Sequence, residues 1–100
     1  MNNPTPLAAF CAAIAAGDDD ITETLALQLP SDAEPALLAL LTAPDADQRW
    51  WGVRALAACG GAAALPDVAA RLTDDDPAVR SAALLAVAHL YQRHRDAVTP

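Results

Sequence analysis

The chain has 100 residues, of which 54% are hydrophobic, and its net charge is −7. This length fits one domain, and an acidic chain repels phosphate backbones, which argues against nucleic-acid binding. Most apolar residues are Ala or Leu, the strongest helix formers, and aromatic residues make up only 4%. The composition therefore predicts an all-α fold.

The first three predicted helices are separated by glycine, proline and acidic residues. The first helix ends at Gly17, and the acidic run 18–20 begins the second, which ends at Pro30. Glycine after a helix and Asp at its start are typical boundary residues. Ser31 or Asp32 is expected to act as the N-cap of the third helix.

The last three predicted helices have clearer boundaries. Asp45 is the expected N-cap of the fourth helix, and Gly60–Gly61 is typical of its C-terminus. A fifth helix follows this glycine pair. Asp76 and then Pro77 predict the start of the sixth, which should reach about Arg95 and be stabilised there by its basic residues. Helices this short are not stable alone in water, so they must pack against one another.

The sequence repeats with a period of 31 residues. Leu41 aligns with Leu72 and Arg49 aligns with Arg80. A period between about 20 and 50 residues is typical of solenoids built from stacked units. We therefore predict a single domain over residues 1–100 made of three helix pairs. Their predicted ranges are about 4–30, where the repeat is degenerate, then 31–60 and 61–95.

A family resemblance lies in the third unit. The run Gly-Gly-Ala-Ala-Ala-Leu-Pro-Asp-Val over 60–68 precedes the acidic turn 74–77 and then Val79–Arg80. This pattern resembles the bacterial HEAT-like repeat of the phycobilisome-lyase type. The resemblance implies a short right-handed α-solenoid of helix pairs, with second helices on the concave side. It also implies a scaffold or adaptor rather than a catalyst.

Arginines and acidic turns recur at matching positions. Arg49 and Arg80 each follow a turn containing acidic residues, and a guanidinium can hold a carboxylate through two hydrogen bonds. We expect a ladder of arginines to neighbouring acidic turns, in which Asp74 lies six residues before Arg80. Its predicted members are Asp74, Arg80, Asp45 and Arg49. Ala43 replaces Asp in the middle unit, so the ladder should be incomplete there. Binding of a ligand by these residues is the alternative.

Trp50 and Trp51 point about 100° apart on a helix. Trp51 aligns with Ala82, a packing position, and is expected in the core between units. Trp50 aligns with Ser81 on the second-helix face. There it is either exposed as an anchor for a partner or covered by a loop or by the weak first unit.

The second-helix face carries apolar residues where this repeat is usually polar, as at Leu85. Apolar patches rimmed by charge mark partner sites. We predict a partner-binding patch, and the alternative is that a second copy of the chain covers it. Its predicted members are Trp50, Val53, Arg54, Ser81, Leu84, Leu85, His89 and Glu23.

No catalytic or metal-binding motif occurs in the sequence. Cys11 and Cys59 form no CxxC pair and are expected to be reduced and buried, as in a cytoplasmic protein. His89 lies near the repeat position of Cys59, but this placement does not promise a Cys–His dyad. The acidic turns lack the spaced oxygen ligands of a calcium loop. No enzyme activity, cofactor or metal is therefore predicted.

The favoured function is a non-catalytic protein–protein interaction or adaptor module. Residues 1–48 contain acidic but no basic side chains, which favours a partner with a basic segment. Neither nucleic acid nor a membrane is expected as a partner. Three alternatives remain open. The chain could be a self-associating structural subunit, an accessory or ligand carrier of the chromophore-lyase type, or an acidic mimic of nucleic acid.

Overall fold

The computed structural model describes residues 5–98 of the chain, with side-chain surroundings for residues 5–95. Within this range the fold is entirely helical, which confirms the predicted class. The six α-helices are α1 (Pro6–Ala16), α2 (Asp19–Ala26), α3 (Glu34–Leu40), α4 (Ala46–Cys59), α5 (Leu65–Ala69) and α6 (Pro77–Val98). None of these helices combines the length and apolarity needed to cross a membrane.

Consecutive helices pack against each other in three pairs, and the second helices then pack side by side. We call α1–α2, α3–α4 and α5–α6 the first, second and third pair. Helix α4 lies between α2 and α6 and contacts both. The molecule is elongated, with extents of 49 × 28 × 20 Å, as expected when each unit packs on its neighbours.

Aspartate caps begin all three second helices. The Asp18 carboxylate accepts a hydrogen bond from the Ile21 N–H at 3.2 Å at the start of α2. Asp45 accepts from the N–H of Gln48 at 3.3 Å in the same way. The Asp76 carboxylate accepts from two N–H groups of the first turn of α6. The predicted caps are confirmed, and each satisfies N–H groups that have no partner within the helix.

The first helices of the second and third pairs are short, at seven and five residues. Each is preceded by a 3-10 turn, Ser31–Ala33 before α3 and Ala62–Ala64 before α5. The expected cap by Ser31 or Asp32 was wrong, because Pro30 precedes the turn in an extended conformation and no side chain caps it. A backbone hydrogen bond from the Ala33 N–H to the Pro30 carbonyl closes the turn instead.

Two glycines end helices in different ways. Gly17 has φ 72°, the left-handed conformation that glycine adopts without strain. Gly60 follows α4 with φ −72° and ψ 150°, which any residue can adopt. Position 60 nevertheless requires glycine, because the backbone there lies close to α4: a Cβ atom would be 2.6 Å from the carbonyl oxygen of Leu56.

The C-terminus of α4 is capped from α6. The Arg93 guanidinium donates to the carbonyl oxygens of Ala57, Ala58 and Gly60. Cations stabilise the free carbonyls at a helix C-terminus. Arg93 therefore stabilises the end of α4 in the neighbouring pair. The sequence pattern had instead predicted that the basic residues would stabilise the C-terminus of the sixth helix itself. Beyond this contact α6 departs from helical dihedral angles at His94.

The core is a continuous apolar cluster that runs through all three pairs. Trp51 is buried and meets Phe10 of α1 edge to face, with ring centroids 6.3 Å apart, so its predicted place between units is confirmed. The largest fully buried apolar side chains are Phe10, Leu37, Leu56, Leu90, Val53, Val68 and Val79.

The predicted burial was wrong for Cys11, which is exposed. Cys59 is partly buried and packs against the core, so the prediction holds for it only in part. The repeat register explains the exposure of Cys11, because it aligns with Thr42 and Thr73, which are also exposed. Burial raises the pKa of the Cys59 thiol, and the nearby Glu34 carboxylate raises it further. The thiol therefore stays protonated at neutral pH, which makes it a poor nucleophile.

Candidate interaction surface

Two grooves meet on the face formed by the second helices. The first, which we call the apolar groove, lies between α4 and α6 and has a volume of about 520 Å³. The second, the acidic groove, lies between α2 and α4 and has a similar volume, about 520 Å³. Trp50 and Arg54 line both grooves and form a ridge between them.

Alanines create the depth of the apolar groove. Its lining residues are Leu27, Trp50, Arg54, Ala57, Ala58, Ala82, Leu85, Ala86 and His89. The alanines have no side chain beyond Cβ, so they leave a depression between larger neighbours. Leu27 and Leu85 are both more than half exposed. Exposed leucines beside a recess favour burial of apolar side chains from a partner.

The acidic groove has the opposite chemistry. Its lining residues are Asp19, Asp20, Glu23, Asp47, Trp50, Trp51, Arg54 and Ala78. Three of the carboxylates lie in the first turns of α2 and α4, where the helix dipole stabilises negative charge. Carboxylates beside an indole ring suit a cation, because the ring face also attracts positive charge.

The ridge is held in place on both sides. Trp50 is partly buried, and its ring meets that of Trp51 edge to face, with centroids 4.8 Å apart. The question left open for Trp50 is thus resolved: it packs on the core and still borders both grooves. The Arg54 guanidinium forms a partly exposed ion pair with the Glu23 carboxylate of α2. A packed indole and a paired guanidinium lose little side-chain freedom when a partner binds.

The structure brings together five of the residues predicted to bind a partner. Trp50, Arg54, Leu85 and His89 line the apolar groove, and Glu23 lines the acidic one. Sequence reasoning missed Leu27 and the alanines of the groove floor. Counted from the capping aspartates, Leu27, Arg54 and Leu85 lie at the same position, nine residues into their segments, and all three line the groove.

The other three predicted members lie elsewhere. Ser81 and Leu84 are exposed but line neither groove. Val53 is fully buried, so its place in the patch was wrong. It belongs to the apolar core instead.

An ion pair links the second and third pairs. Asp74 is 5% exposed, and its carboxylate accepts hydrogen bonds from Arg49 at 3.0 Å (Nε) and 3.2 Å (Nη2). Arg71 and the backbone N–H of Asp76 also donate to it. Burial tends to raise the pKa of Asp74, but the Asp76 N–H and the Arg49 guanidinium outweigh it and leave the pKa below its usual value.

The other two proposed ladder members, Arg80 and Asp45, form hydrogen bonds with backbone groups and no ion pair with each other. The Arg80 guanidinium donates to the backbone carbonyls of Asp74 and Asp75, at 2.7 and 3.3 Å. The placement of Asp45 in the ladder was wrong, because its carboxylate caps α4. Among the described residues, no group of three or more His, Cys, Asp or Glu side chains is arranged to hold a metal ion.

Comparison with known protein families identifies the repeat. A family model described as HEAT repeats matches residues 7–88. The match spans every helix from α1 into α6. Searches of curated proteins and of solved structures returned no significant match.

Proposed function

The chain belongs to the HEAT repeat family, and on this basis we propose that it is a non-catalytic module that binds another protein through its second-helix face. HEAT repeats commonly mediate protein–protein interactions. The observation that supports this face is the Trp50–Arg54 ridge between an apolar and an acidic groove. Trp and Arg are the residue types most enriched among interface residues that dominate binding energy.

The two grooves define the chemistry of the partner. Its segment places apolar side chains against Leu85 and the alanines of the apolar groove, and a Lys or Arg side chain in the acidic groove. The net charge of −7 also attracts a basic partner over longer distances. Binding should weaken at high salt, because ions screen the carboxylates more than they affect apolar contacts.

Two adjacent leucines provide a matched test of this surface. Leu84 and Leu85 are 64% and 65% exposed, yet only Leu85 lines the apolar groove. Proteins captured from the native lysate by the wild type would be quantified by mass spectrometry and compared with those captured by Leu85→Glu and Leu84→Glu. We expect Leu85→Glu to lose a set of partners that Leu84→Glu retains. Equal capture by all three proteins would contradict the assignment of the groove.

The size of the apolar groove favours a second candidate function. Small-molecule sites typically measure about 300–1,000 Å³, and this groove falls within that range. An accessory or ligand-carrier role, of the kind known for chromophore lyases, would use the same recess. Native mass spectrometry of the purified protein tests it: a bound molecule lost in Leu85→Glu supports a carrier, and an unliganded mass supports the protein-binding module.

A further inference from the structure

Equivalent positions on the three second helices form two rows across their shared face. Counted from the capping aspartates, the first row is Glu23, Trp50 and Ser81, five residues after each cap, and the second is Leu27, Arg54 and Leu85, nine residues after each cap. The rows lie about one helical turn apart, because residues four apart share a helix face. The second row therefore places a cation between two exposed leucines that line the apolar groove with it.

An ion pair draws the guanidinium of Arg54 out of the second row. Its Nη2 donates to the carboxylate of Glu23 in the first row, and no other group among residues 5–95 accepts a hydrogen bond from Arg54. Glu23 lines only the acidic groove, whereas Arg54 lines both grooves. Because Glu23 belongs to α2, the charged end of Arg54 is held on the α2 side of the ridge.

An unpaired Arg54 would cover the apolar groove. The long apolar stem of an arginine tends to lie along neighbouring apolar surface, and the apolar surface beside Arg54 is that of Leu27, Leu85 and the alanines of the groove. The guanidinium would also bring a positive charge to the recess. Both effects oppose binding of a basic segment with apolar side chains, because the surface it would bury is covered and its own cation is repelled.

We propose that Glu23 is a positioning residue, which keeps the apolar groove open to a partner by pairing with Arg54. This inference rests on the proposed function, in which the groove takes the apolar side chains of a basic segment. The cation of that segment pairs with the other carboxylates of the acidic groove, those of Asp19, Asp20 and Asp47. The apparent affinity of the groove then follows the fraction of molecules in which the Glu23–Arg54 ion pair is formed.

A neutral dye and its anionic analogue test this role. N-phenylnaphthylamine is apolar and uncharged and fluoresces in apolar sites, and anilinonaphthalene sulfonate is the same molecule with an added sulfonate group. In Glu23→Gln we expect the dissociation constant of the neutral dye to rise by up to about fivefold, the limit set by the strength of a partly exposed ion pair. The sulfonated dye should bind more tightly, because the unpaired guanidinium attracts its charge. A parallel loss of both dyes would overturn the proposal.

Asp47→Asn is the matched control. It removes the same charge from the same groove, but the ion pair of Arg54 is with Glu23, so binding of the neutral dye should stay at the wild-type level. In an Arg54→Ala background, Glu23→Gln should likewise have no effect on the neutral dye. The proposal is overturned if Asp47→Asn weakens this dye as much as Glu23→Gln does, or if the effect of Glu23→Gln persists without Arg54.

Leu85→Glu separates this proposal from the proposed function. It should weaken the neutral dye in every background, because Leu85 lines the apolar groove. If Leu85→Glu weakens the dye and Glu23→Gln does not, the positioning role is wrong and the groove stands. If Leu85→Glu leaves binding unchanged, the groove is not the apolar binding site, and the proposed function is contradicted together with the role of Glu23.

Discussion

Glu23 of α2 and Arg54 of α4 form an ion pair between the first and second pairs. Arg54 lies nine residues after the cap Asp45, whereas Glu23 lies five residues after the cap Asp18, so the ion pair joins positions about one helical turn apart. Leu85 takes the place of Arg54 in the third pair, 31 residues further on. The third pair therefore presents an apolar side chain beside the apolar groove where the second pair presents a paired guanidinium.

The coupling between Glu23 and Arg54 should be small and sensitive to salt. Both side chains are partly exposed, and such ion pairs typically contribute about 0.2–1 kcal/mol. A double-mutant cycle with Glu23→Gln and Arg54→Gln, measured by urea unfolding, should give a coupling energy in that range. It should shrink at 1 M salt, where the Debye length is about 3 Å. A larger coupling that salt does not affect would contradict this.

Asp74 should be more important for stability than its neighbour Asp75. Asp74→Asn removes the charge that Arg49 and Arg71 share. Hydrogen bonds to buried charged groups contribute about 1.5–3 kcal/mol, so we expect the free energy of unfolding to fall by about that amount. Asp75→Asn is the matched control, because the side chain is exposed and should change stability by less than about 0.5 kcal/mol.

The same carboxylate should make the protein sensitive to acid. The folded-state pKa of Asp74 lies below its unfolded value, which is about 3.9 for a free Asp side chain. Its contribution to stability is therefore fully present above that pH and is lost as the pH falls through the folded-state pKa. The free energy of unfolding should decrease below about pH 4 more steeply in the wild type than in Asp74→Asn. Parallel pH profiles would contradict this assignment.

Much of the fold could be predicted because equivalent positions in the repeated units can be compared with one another. Alignment of Trp51 with Ala82 placed the indole in the core, and the caps at Asp45 and Asp76 followed from local chemistry alone. The 3-10 turn at Ser31–Ala33 could not be predicted in this way. Ser and Asp are good N-cap residues, but here a backbone hydrogen bond to Pro30 satisfies the turn.

The candidate site was harder to predict because it depends on how the helices pack. Leu84 and Leu85 look equivalent in sequence, yet they point about 100° apart, and only the position of α4 decides which one borders the groove. The repeat register nevertheless distinguishes the two leucines. Leu84 aligns with the apolar Val53, whereas Leu85 aligns with the charged Arg54, so the two belong to different surfaces.

Gly60 and Gly61 should respond differently to alanine. A Cβ atom at Gly60 would lie 2.6 Å from the Leu56 carbonyl oxygen, whereas at Gly61 its nearest contact is the Glu34 carboxylate at 3.5 Å. Gly60→Ala must displace backbone of α4 and should cost about 1–3 kcal/mol, as for other overpacked sites. Gly61→Ala should be close to neutral. Urea unfolding of both variants measures the difference, and equal costs would rule out close approach as the reason for Gly60.

Arg93 should stabilise α4, although it belongs to α6. Its guanidinium donates to three carbonyl oxygens at the C-terminus of α4, a position where cations typically contribute about 0.3–1 kcal/mol. Arg93→Ala should lower the free energy of unfolding by about 1 kcal/mol or more, since the hydrogen bonds are lost as well. Arg95→Ala removes the same charge from an exposed neighbour and should have little effect.

Amide hydrogen exchange would locate the change: protection should fall in the last turn of α4 in Arg93→Ala and remain unchanged in Arg95→Ala. Equal effects of the two variants would mean that net charge, and not the cap, is responsible.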